Sequence, residues 1–486
     1  MAGTVFDHIA FQARLKPGAL AVHGLAGPVS FAQLVRDVEG LATELMERGL
    51  TQADMVGLNV GFSYLHVLLV LALDRLGIAS MSFATVNPAT APAVLPQFGL
   101  TAAITAGAPV AIPSGRCIEL RDEHRPRIGA ADAARLAQLA PAGDQLMRVT
   151  WTSGTTGTAK GSPMDRAIQQ LRLEALRKLR ALGPGTRYFA IMPLSSGYCY
   201  AMALAVLCAG GALILPNPTV DFVTQANTFG ATASGAAPGT LLEILGQVGT
   251  SGRRLETMIY LDAVGAHLPS RTARDVMLHL TPNLRSTYGS TEGGWAATGD
   301  AALCVADPGA VGYVIPWMAV QAVDAADRPL PAGGEGSLRI RGAQVVMRYH
   351  GDEATSQRVF RDGWFYPGDL GMVTADGLVR VTGRIEDVIL RGGAMVSPLP
   401  IEEAIGAQPQ VREVAVFALP GSGATQEIWA ALVLEPGADA RAVVAAAALG
   451  DRAPTKLMVA ERLPRNPNGK VVRRVLAEWA IKGGKP

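Results

Sequence analysis

The sequence predicts an α/β fold: a large N-terminal domain of layered α/β subdomains plus a β-rich subdomain, then a small α+β C-terminal domain. Three observations predict this organisation. The 486 residues correspond to roughly three domains of about 150 residues each. Apolar strand patterns alternate with amphipathic helical patterns before residue 290. Short alternating strands and Gly-rich turns follow from about residue 309, and the pattern changes again after residue 387.

The first elements follow a βαβ order. Ser30 and Gln33 form a capping-box pattern that begins an amphipathic helix ending near Gly49. A strand at 55–60, a helix at 65–76 and a strand at 78–83 come next. Similar apolar runs continue the order at 188–192, 202–208, 212–215, 241–245, 258–261 and 284–288. Because crossover helices join parallel strands and cover both faces of their sheet, we expect a mostly parallel, charge-poor sheet.

The last segment of the chain carries elements of its own. Strands are predicted at 414–418 and 428–433, and helices at 399–405, 440–448 and 470–479. These elements predict a compact α+β domain.

Composition excludes several classes of function. The 43 Lys and Arg residues against 41 Asp and Glu leave a net charge of +2, so we expect no nucleic-acid partner. Charged residues make up 17% of the chain, against about 25% in an average domain, which indicates a large interior. The four cysteines have neither disulfide-framework nor zinc-ligand spacing, which favours a reducing compartment, and we expect the cytoplasm.

The uncharged stretch 188–220 has the length of a membrane span. Pro193, the Gly210-Gly211 pair and Pro216 interrupt it, so it predicts a buried strand, helix and strand instead. The N-terminus contains Asp7 and has no basic segment before an apolar run, which predicts no signal peptide. We therefore expect no membrane span.

A loop rich in glycine and hydroxyl residues is the sharpest local signal. It reads Thr152-Ser153-Gly154-Thr155-Thr156-Gly157-Thr158-Ala159-Lys160-Gly161 after a strand pattern at 149–151. Glycines let backbone N–H groups approach an anion, hydroxyls add donors, and the lysine supplies positive charge. Ala159 stands where the P-loop NTPase motif requires glycine, so the loop predicts another kind of phosphate site. A flexible surface turn is the alternative.

A second lysine has a glycine-rich setting. The chain contains seven lysines against 36 arginines, and Lys470 follows a turn pattern at 464–469. Taken alone, this position favours a solvated C-terminal lysine over a functional one.

Five motifs in order resemble the adenylate-forming superfamily of acyl-CoA synthetases, nonribosomal-peptide adenylation domains and luciferases, which are AMP-binding enzymes. They are the loop at 152–161, Tyr288-Gly289-Ser290-Thr291-Glu292, the run at 363–371, Gly383-Arg384-Ile385-Glu386-Asp387 and Asn468-Gly469-Lys470. The resemblance covers nearly the whole chain. It implies that ATP converts a carboxylate to acyl-AMP with release of pyrophosphate, and that the acyl group then passes to a thiol.

The resemblance also implies roles for single residues. Lys470, Glu292, Thr155 and Lys160 would be catalytic, with Lys470 reaching the charge that develops at the α-phosphate and Glu292 coordinating Mg²⁺. Tyr288 would face adenine, with core packing as its alternative; Thr291 would touch the α-phosphate, and Asp369 would accept from the ribose. The remaining nucleotide-binding residues would be Thr152, Ser153, Gly154, Thr156, Gly157, Gly289 and Arg384.

A moving small domain is implied as well. The large domain would span 1–384, a hinge around Glu386 would span 385–387, and the small domain would span 388–486. After adenylation the small domain would rotate and present the loop containing Gly392 and Gly393 beside a thiol tunnel.

The predicted acyl pocket combines small and aromatic residues, which suggests an aryl or a short to medium acyl group. It comprises Ser195, Ser196, Tyr198, Gly265, Ala266, His267, Gly293 and Trp295. No acidic residue occurs at 195–200 to anchor an α-amino group, which disfavours amino-acid substrates. His267 could contact a polar substituent or be a packed or solvated histidine.

Some positions depart from the family pattern. Ala394 stands where a glutamate is usual, and Ser195 and Ser196 replace an aromatic residue and a histidine. The leading hypothesis is an AMP-forming ligase that uses a small carboxylic acid, ATP and CoA. A stand-alone enzyme that loads an acyl carrier protein or another nucleophile is the alternative, and a non-catalytic nucleotide-binding homologue is more remote. The sequence leaves the oligomeric state open.

Overall fold

A computed structural model provides the structure of the chain. It describes residues 4–83, 95–106, 115–120, 131–139, 143–153, 159–249, 252–391, 393–421, 425–466 and 469–483. The helices are α1 Val5–Leu15, α2 Phe31–Glu47, α3 Tyr64–Leu76, α4 Ala133–Ala137, α5 Arg166–Leu179, α6 Gly197–Cys208, α7 Phe222–Thr228, α8 Pro238–Val248, α9 Ser270–His279, α10 Ala302–Ala306, α11 Glu353–Val359, α12 Pro398–Gly406, α13 Ala440–Ala446 and α14 Arg473–Lys482.

The strands of the large domain are β1 Leu20–Gly24, β2 Gly27–Ser30, β3 Met55–Asn59, β4 Ala79–Ser82, β5 Ala102–Thr105, β6 Arg116–Glu119, β7 Leu146–Ser153, β8 Ala159–Asp165, β9 Arg187–Phe189, β10 Ala212–Ile214, β11 Ala233–Ala236, β12 Tyr260–Ala263, β13 Leu284–Ser290, β14 Gly294–Asp300, β15 Ala310–Val314, β16 Met318–Val323, β17 Gly336–Gly342, β18 Phe360–Arg361, β19 Trp364–Phe365, β20 Asp369–Val373 and β21 Leu378–Arg384. Those of the small domain are β22 Ile389–Arg391, β23 Ala394–Val396, β24 Val411–Pro420, β25 Gln426–Leu434 and β26 Lys456–Val459.

Two sheets build the large domain. One has the order β6-β5-β3-β4-β7-β8, in which β8 is antiparallel to β7 and the other pairs are parallel. The other sheet begins with the edge strand β2, which pairs antiparallel with β1, and continues through the parallel strands β1-β10-β9-β11-β12-β13. At β13 it changes to antiparallel pairing and continues through β14, β15, β21, β20 and β17. The predicted β-rich part is therefore an extension of the parallel sheet.

Buried helices fill the space between the layers. Eleven of the 13 residues of α3 are buried, and α6 is apolar around most of its circumference. The uncharged stretch 188–220 thus forms β9, α6 and β10 inside the core, as predicted. Among the residues that the structure describes, no helix combines the length and apolarity that crossing a bilayer requires.

The small domain has a core of its own. Ile389, Ile401, Val416 and Leu432 belong to an apolar cluster whose members all lie beyond residue 388. In its three-stranded sheet, β24 pairs antiparallel and β26 pairs parallel with β25. The predicted α/β fold with a large N-terminal and a small C-terminal domain is confirmed.

Several local predictions need correction. Helix α6 begins five residues before the predicted start, because the Ser196 hydroxyl caps it by accepting from the Cys199 N–H at 3.2 Å. Ser30 caps α2, but the Gln33 side chain donates to Asp37 instead of completing a capping box. Strand β11 was not predicted, because its sequence, Ala-Ser-Gly-Ala, has no β-branched residue. Lys470 precedes α14, which begins only at Arg473.

Candidate active site

A cleft of about 890 Å³ lies between the large and small domains. The carboxyl ends of the parallel strands β12 and β13 open into it, as is usual for ligand sites in α/β sheets. Residues predicted to bind nucleotide line it together with the predicted adenylation lysine: Tyr288, Gly289, Asp369, Arg384 and Lys470. Fold topology therefore brings together motifs that are far apart in sequence.

The Asp369 carboxylate connects Tyr288, through a hydrogen bond, with Arg384, through an ion pair. The Tyr288 hydroxyl donates to Asp369 Oδ2 at 2.7 Å, and Arg384 Nη1 lies 3.0 Å from Asp369 Oδ1. Asp369 and Arg384 face each other because β20 and β21 pair in that register. Burial and the neighbouring Asp369 carboxylate raise the pKa of Tyr288, so its hydroxyl remains a donor.

Gly289 can only be glycine here. A Cβ at this position would lie 2.2 Å from the Gly294 carbonyl oxygen, and β13 has a bulge between Tyr288 and Gly289. The bulge aims Tyr288 at the cleft while the strand still pairs with β14.

Glu292 lies buried under Tyr349, a residue that the sequence analysis missed. The Tyr349 hydroxyl donates to Glu292 Oε1 at 3.0 Å, and Lys160 Nζ lies 5.5 Å from the centroid of the Tyr349 ring. Tyr349 thus connects the predicted metal ligand with the predicted phosphate lysine.

Arg172 of α5 fixes the backbone of this segment. Its guanidinium donates to the carbonyls of Thr291, Glu292 and Gln344 at 2.9–3.0 Å. Burial lowers the pKa of Arg172 to about 10, with Glu292 acting in the opposite direction. No local motif surrounds Arg172, so only the fold reveals it.

The phosphate loop is described at its two ends. Thr152 and Ser153 end β7, Ala159 and Lys160 begin β8, and the two strands pair antiparallel. Gly154, Thr155, Thr156, Gly157 and Thr158 lie outside the described residues. The loop therefore begins and ends on adjacent strands of one sheet, and Lys160 follows it.

Lys470 reaches the cleft from the small domain. Its backbone N–H donates to Asn466 Oδ1 at 3.0 Å. A Cβ added to the preceding Gly469 would lie 2.9 Å from Ala237 Cβ, so this segment packs closely against the large domain. Burial lowers the pKa of Lys470, as does the positive charge of Arg384, while Asp387 and other acids oppose this shift. The ammonium group therefore lies in a partly desolvated site beside the predicted ribose residues.

The residues of the predicted acyl pocket fall into two groups. Gly265, Ala266 and His267 line the cleft. Ser195 and Ser196 are buried, Gly293 is buried beside Ser290, and Tyr198 and Trp295 are partly exposed. Ser196 is used as the cap of α6, and Ser195 Oγ has no hydrogen-bond partner among the described residues. His267 contacts Glu403 of the small domain.

A buried ion pair supports Tyr198, and the sequence analysis missed both of its members. Arg180 binds Asp262 through two hydrogen bonds of 2.8 and 3.0 Å, and both side chains are 0% exposed. The Tyr198 hydroxyl donates to Asp262, and the Tyr198 and Trp295 ring centroids are 5.6 Å apart. The one available signal was the charge of Asp262 within an apolar strand.

The predicted hinge and thiol loop lie beyond the end of β21. Glu386 sits in a 3₁₀ turn, Ile385–Asp387, and pairs with Arg384 at 3.2 Å. Gly393 has a positive φ of 85° in the turn between β22 and β23, whereas Gly392 lies outside the described residues. Met395 beside this turn is 79% exposed, and Gly393 does not line the cleft.

Within the described part of the chain, no group of three or more His, Cys, Asp or Glu residues could hold a metal ion. Glu292 nevertheless suits a hard cation, because its buried carboxylate offers oxygen ligands. A cation held there would take its remaining ligands from phosphate and water.

Two family models match the chain. One described as "AMP-binding enzyme" covers residues 9–350, and one described as "AMP-binding enzyme C-terminal domain" covers residues 400–470. The two ranges fall in the large and small domains of the structure.

Individual proteins match over nearly the whole chain. A 2-hydroxy-7-methoxy-5-methyl-1-naphthoate–CoA ligase of Streptomyces carzinostaticus is 26% identical over 96% of this chain and 92% of its own. A feruloyl-CoA synthase of Amycolatopsis is 25% identical over 95% and 96%. The structure of o-succinylbenzoate CoA synthetase from Bacillus subtilis, in complex with its acyl-adenylate, superimposes with a TM-score of 0.84 at 19% identity, covering 98% of both chains.

Proposed function

The chain belongs to the AMP-binding enzyme family, as its motifs predict, and from this premise we propose that it is an AMP-forming acid–thiol ligase. It activates an aryl or a short to medium acyl carboxylic acid with ATP, releases pyrophosphate, and transfers the acyl group from acyl-AMP to the thiol of CoA. The observation that carries the proposal is the position of Lys470, which shares one cleft with Tyr288, Asp369 and Arg384.

Electrostatics explains the division of work in this reaction. A carboxylate that attacks the α-phosphate brings two anions together, so the site must supply cations and oriented donors rather than a protein nucleophile. Lys470 supplies positive charge at the reacting atoms, and Lys160 supplies it at the leaving pyrophosphate. Arg384 and Asp369 hold the ribose, which fixes the α-phosphate relative to Lys470.

Mg²⁺ is the cation we assign to Glu292. The buried carboxylate, oriented by the Tyr349 hydroxyl, fits a hard ion with oxygen ligands. When bound, Mg²⁺ would neutralise phosphate charge. Thr291 lies next to Glu292, and Arg172 holds both residues through their carbonyls.

CoA is the proposed acceptor, and it is supported by the relatives, which are named as a CoA ligase and a CoA synthase. Ala394 stands in the loop predicted to face the thiol, which leaves a carrier protein or another nucleophile as the alternative acceptor. The described cysteines are all free, in agreement with the proposed cytoplasmic location.

The decisive experiment measures pyrophosphate release with Mg-ATP across a panel of aryl, short-chain and medium-chain acids, each with and without CoA. Acid-dependent release that becomes multi-turnover with CoA is the expected result. Release that stalls near one turnover despite CoA would favour a carrier protein. Absence of release across the panel would favour either an acid outside the panel or a non-catalytic homologue.

A matched pair of variants tests the role of Lys470. Lys470→Ala should abolish acyl-AMP formation from acid and ATP while sparing thioester formation from supplied acyl-AMP. Lys456→Ala, an exposed lysine of β26 in the same domain, is the control and should change neither step. Equal loss of both steps in Lys470→Ala would contradict the assignment.

A further inference from the structure

The small domain also contacts the large domain through α12, in the cleft that Lys470 lines. Glu403 of α12 lies against the start of α9 in the large domain. Its Oε1 lies 2.5 Å from His267 Nε2, and its Oε2 accepts from the Ser270 hydroxyl at 2.6 Å. The Ser270 N–H points at both carboxylate oxygens at 3.3 Å. One carboxylate from the small domain therefore contacts three polar groups of the large domain.

Helix α9 lacks a cap of its own. Its N-cap residue is Pro269, which has no side-chain acceptor, and its first turn contains no acidic residue. The first N–H groups of a helix need acceptors, and the positive end of the helix dipole favours an anion. Glu403 supplies both functions from the other domain.

Arg271 makes the reciprocal contact. Its guanidinium donates to the carbonyls of Gln408, Pro409 and Val411, which follow the C-terminal end of α12. A cation is favourable at that end of a helix, just as an anion is at the other. Each helix end therefore contacts a side chain of favourable charge from the other domain. We call the contacts of Glu403 with His267 and Ser270, and of Arg271 with the carbonyls after α12, the α9–α12 contact.

Charge and burial indicate that the contact is well formed. The Glu403 side chain is 11% exposed and that of His267 is 21% exposed. Burial alone would raise the pKa of Glu403, but the hydrogen bonds from His267 and Ser270 and the charge of His267 bring it below its usual range. The carboxylate form is thus the one that the large domain binds.

The small domain also docks at α8. Gly469 lies against Ala237 at the start of α8, and a Cβ at Gly239 would lie 2.7 Å from the Arg465 guanidinium. Ser397, at the start of α12, also donates to the Thr382 carbonyl of β21 at 2.6 Å. The α9–α12 contact adds charged hydrogen bonds to these contacts, and Lys470 belongs to the domain that they hold.

We propose that Glu403 is a positioning residue for adenylation, held by His267 and Ser270, which keeps the small domain in the orientation that presents Lys470 to the nucleotide. The proposal rests on the proposed function. It assigns Glu403 to the step that needs Lys470 and not to the thiol step.

The test compares Glu403→Ala with Glu478→Ala, which removes an exposed carboxylate of α14 that pairs within its own helix. We expect Glu403→Ala to slow acyl-AMP formation from acid and ATP about 10-fold, while thioester formation from supplied acyl-AMP and CoA stays within about twofold of the wild type. The rate of acyl-AMP formation in Glu403→Gln should fall between those of the wild type and Glu403→Ala. The control should change neither step.

Hydrogen–deuterium exchange gives a readout that does not require activity. The amides of the first turn of α9 should exchange faster in Glu403→Ala and remain protected in Glu478→Ala. Unchanged exchange, or equal loss of both half-reactions together with a lower unfolding temperature, would overturn the proposal. Wild-type protein that forms no acyl-AMP would refute the proposed function instead, while the exchange measurement would still decide whether Glu403 caps α9.

Discussion

The Tyr198 hydroxyl donates to Asp262 Oδ2 at 2.9 Å, and this bond ties the predicted acyl pocket to the buried ion pair behind it. Arg180 donates to both oxygens of the same carboxylate and also reaches Thr287 and Thr298 on the next two strands. The Tyr198 ring lies over Gly235, where a Cβ would be 2.3 Å from a ring atom. Tyr198 is therefore held in one orientation, and we expect it to form a wall of the proposed acyl pocket.

Removal of this wall should change the choice of acid. Tyr198→Ala opens space beside Trp295, so we expect longer linear acids to gain relative to benzoate, by about 10-fold or more in the ratio of kcat/KM values. The measurement is acid-dependent pyrophosphate release across chain lengths. Tyr200→Phe is the control, because the Tyr200 hydroxyl bonds Gln169 at 2.7 Å and not Asp262. An unchanged chain-length profile in a folded Tyr198→Ala protein would show that Tyr198 does not bound the pocket.

The ion pair behind Tyr198 should contribute strongly to stability. Asp262→Ala leaves the fully buried guanidinium of Arg180 without its carboxylate, so we expect the free energy of unfolding to fall by about 3–5 kcal/mol. Denaturant unfolding measures this change. Glu478→Ala, which breaks the exposed pair with Arg474 within α14, is the control and should cost about 1 kcal/mol or less. Equal losses in the two variants would contradict the assignment.

Residues within a contiguous motif could be assigned to the candidate site from the sequence, and residues that reach it through the fold could not. Asp369, Arg384 and Lys470 each lie in a run of distinctive residues, so the order of the motifs predicted that they share a site, and they line one cleft. Tyr349 and Arg172 lie in ordinary sequence and reach the site only because strands and helices from other parts of the chain converge there.

The same distinction applies to the fold. Strong apolar periodicity predicted α3 and the strands that flank it, because burial there leaves little room for polar residues. Strand β11 was not predicted because its small residues carry no strand signal. Gly235 within this strand nevertheless makes room for the Tyr198 ring. Contacts between the domains, such as that of Glu403 with Ser270, join residues 133 positions apart, and no local pattern encodes them.

Tyr349 should influence metal dependence rather than the chemical step. Tyr349→Phe removes the hydroxyl that orients Glu292, so we expect the Mg²⁺ concentration for half-maximal activity to rise about 10-fold, with kcat at saturating Mg²⁺ near the wild-type value. Titration of acid-dependent pyrophosphate release with Mg²⁺ measures this. Tyr313→Phe, at an exposed position, is the control. The same half-saturating Mg²⁺ concentration in Tyr349→Phe and wild type would contradict the assignment of Mg²⁺ to a Glu292 carboxylate that Tyr349 orients.

Lys470 should set the alkaline limit of adenylation. Burial, followed by the charge of Arg384, lowers the pKa of Lys470, so the ammonium form is lost at a lower pH than the usual value of about 10.4. Because the charged form is the active one, single-turnover formation of acyl-AMP should decline as the pH rises, and the decline should begin before the pH reaches that usual value. Lys470→Arg keeps its charge to about pH 12, so its profile should lose this decline, although its rate should be lower throughout because guanidinium is larger and planar. Lys456→Arg is the control and should keep the wild-type profile. An alkaline decline that Lys470→Arg leaves unmoved would assign the titration to another group.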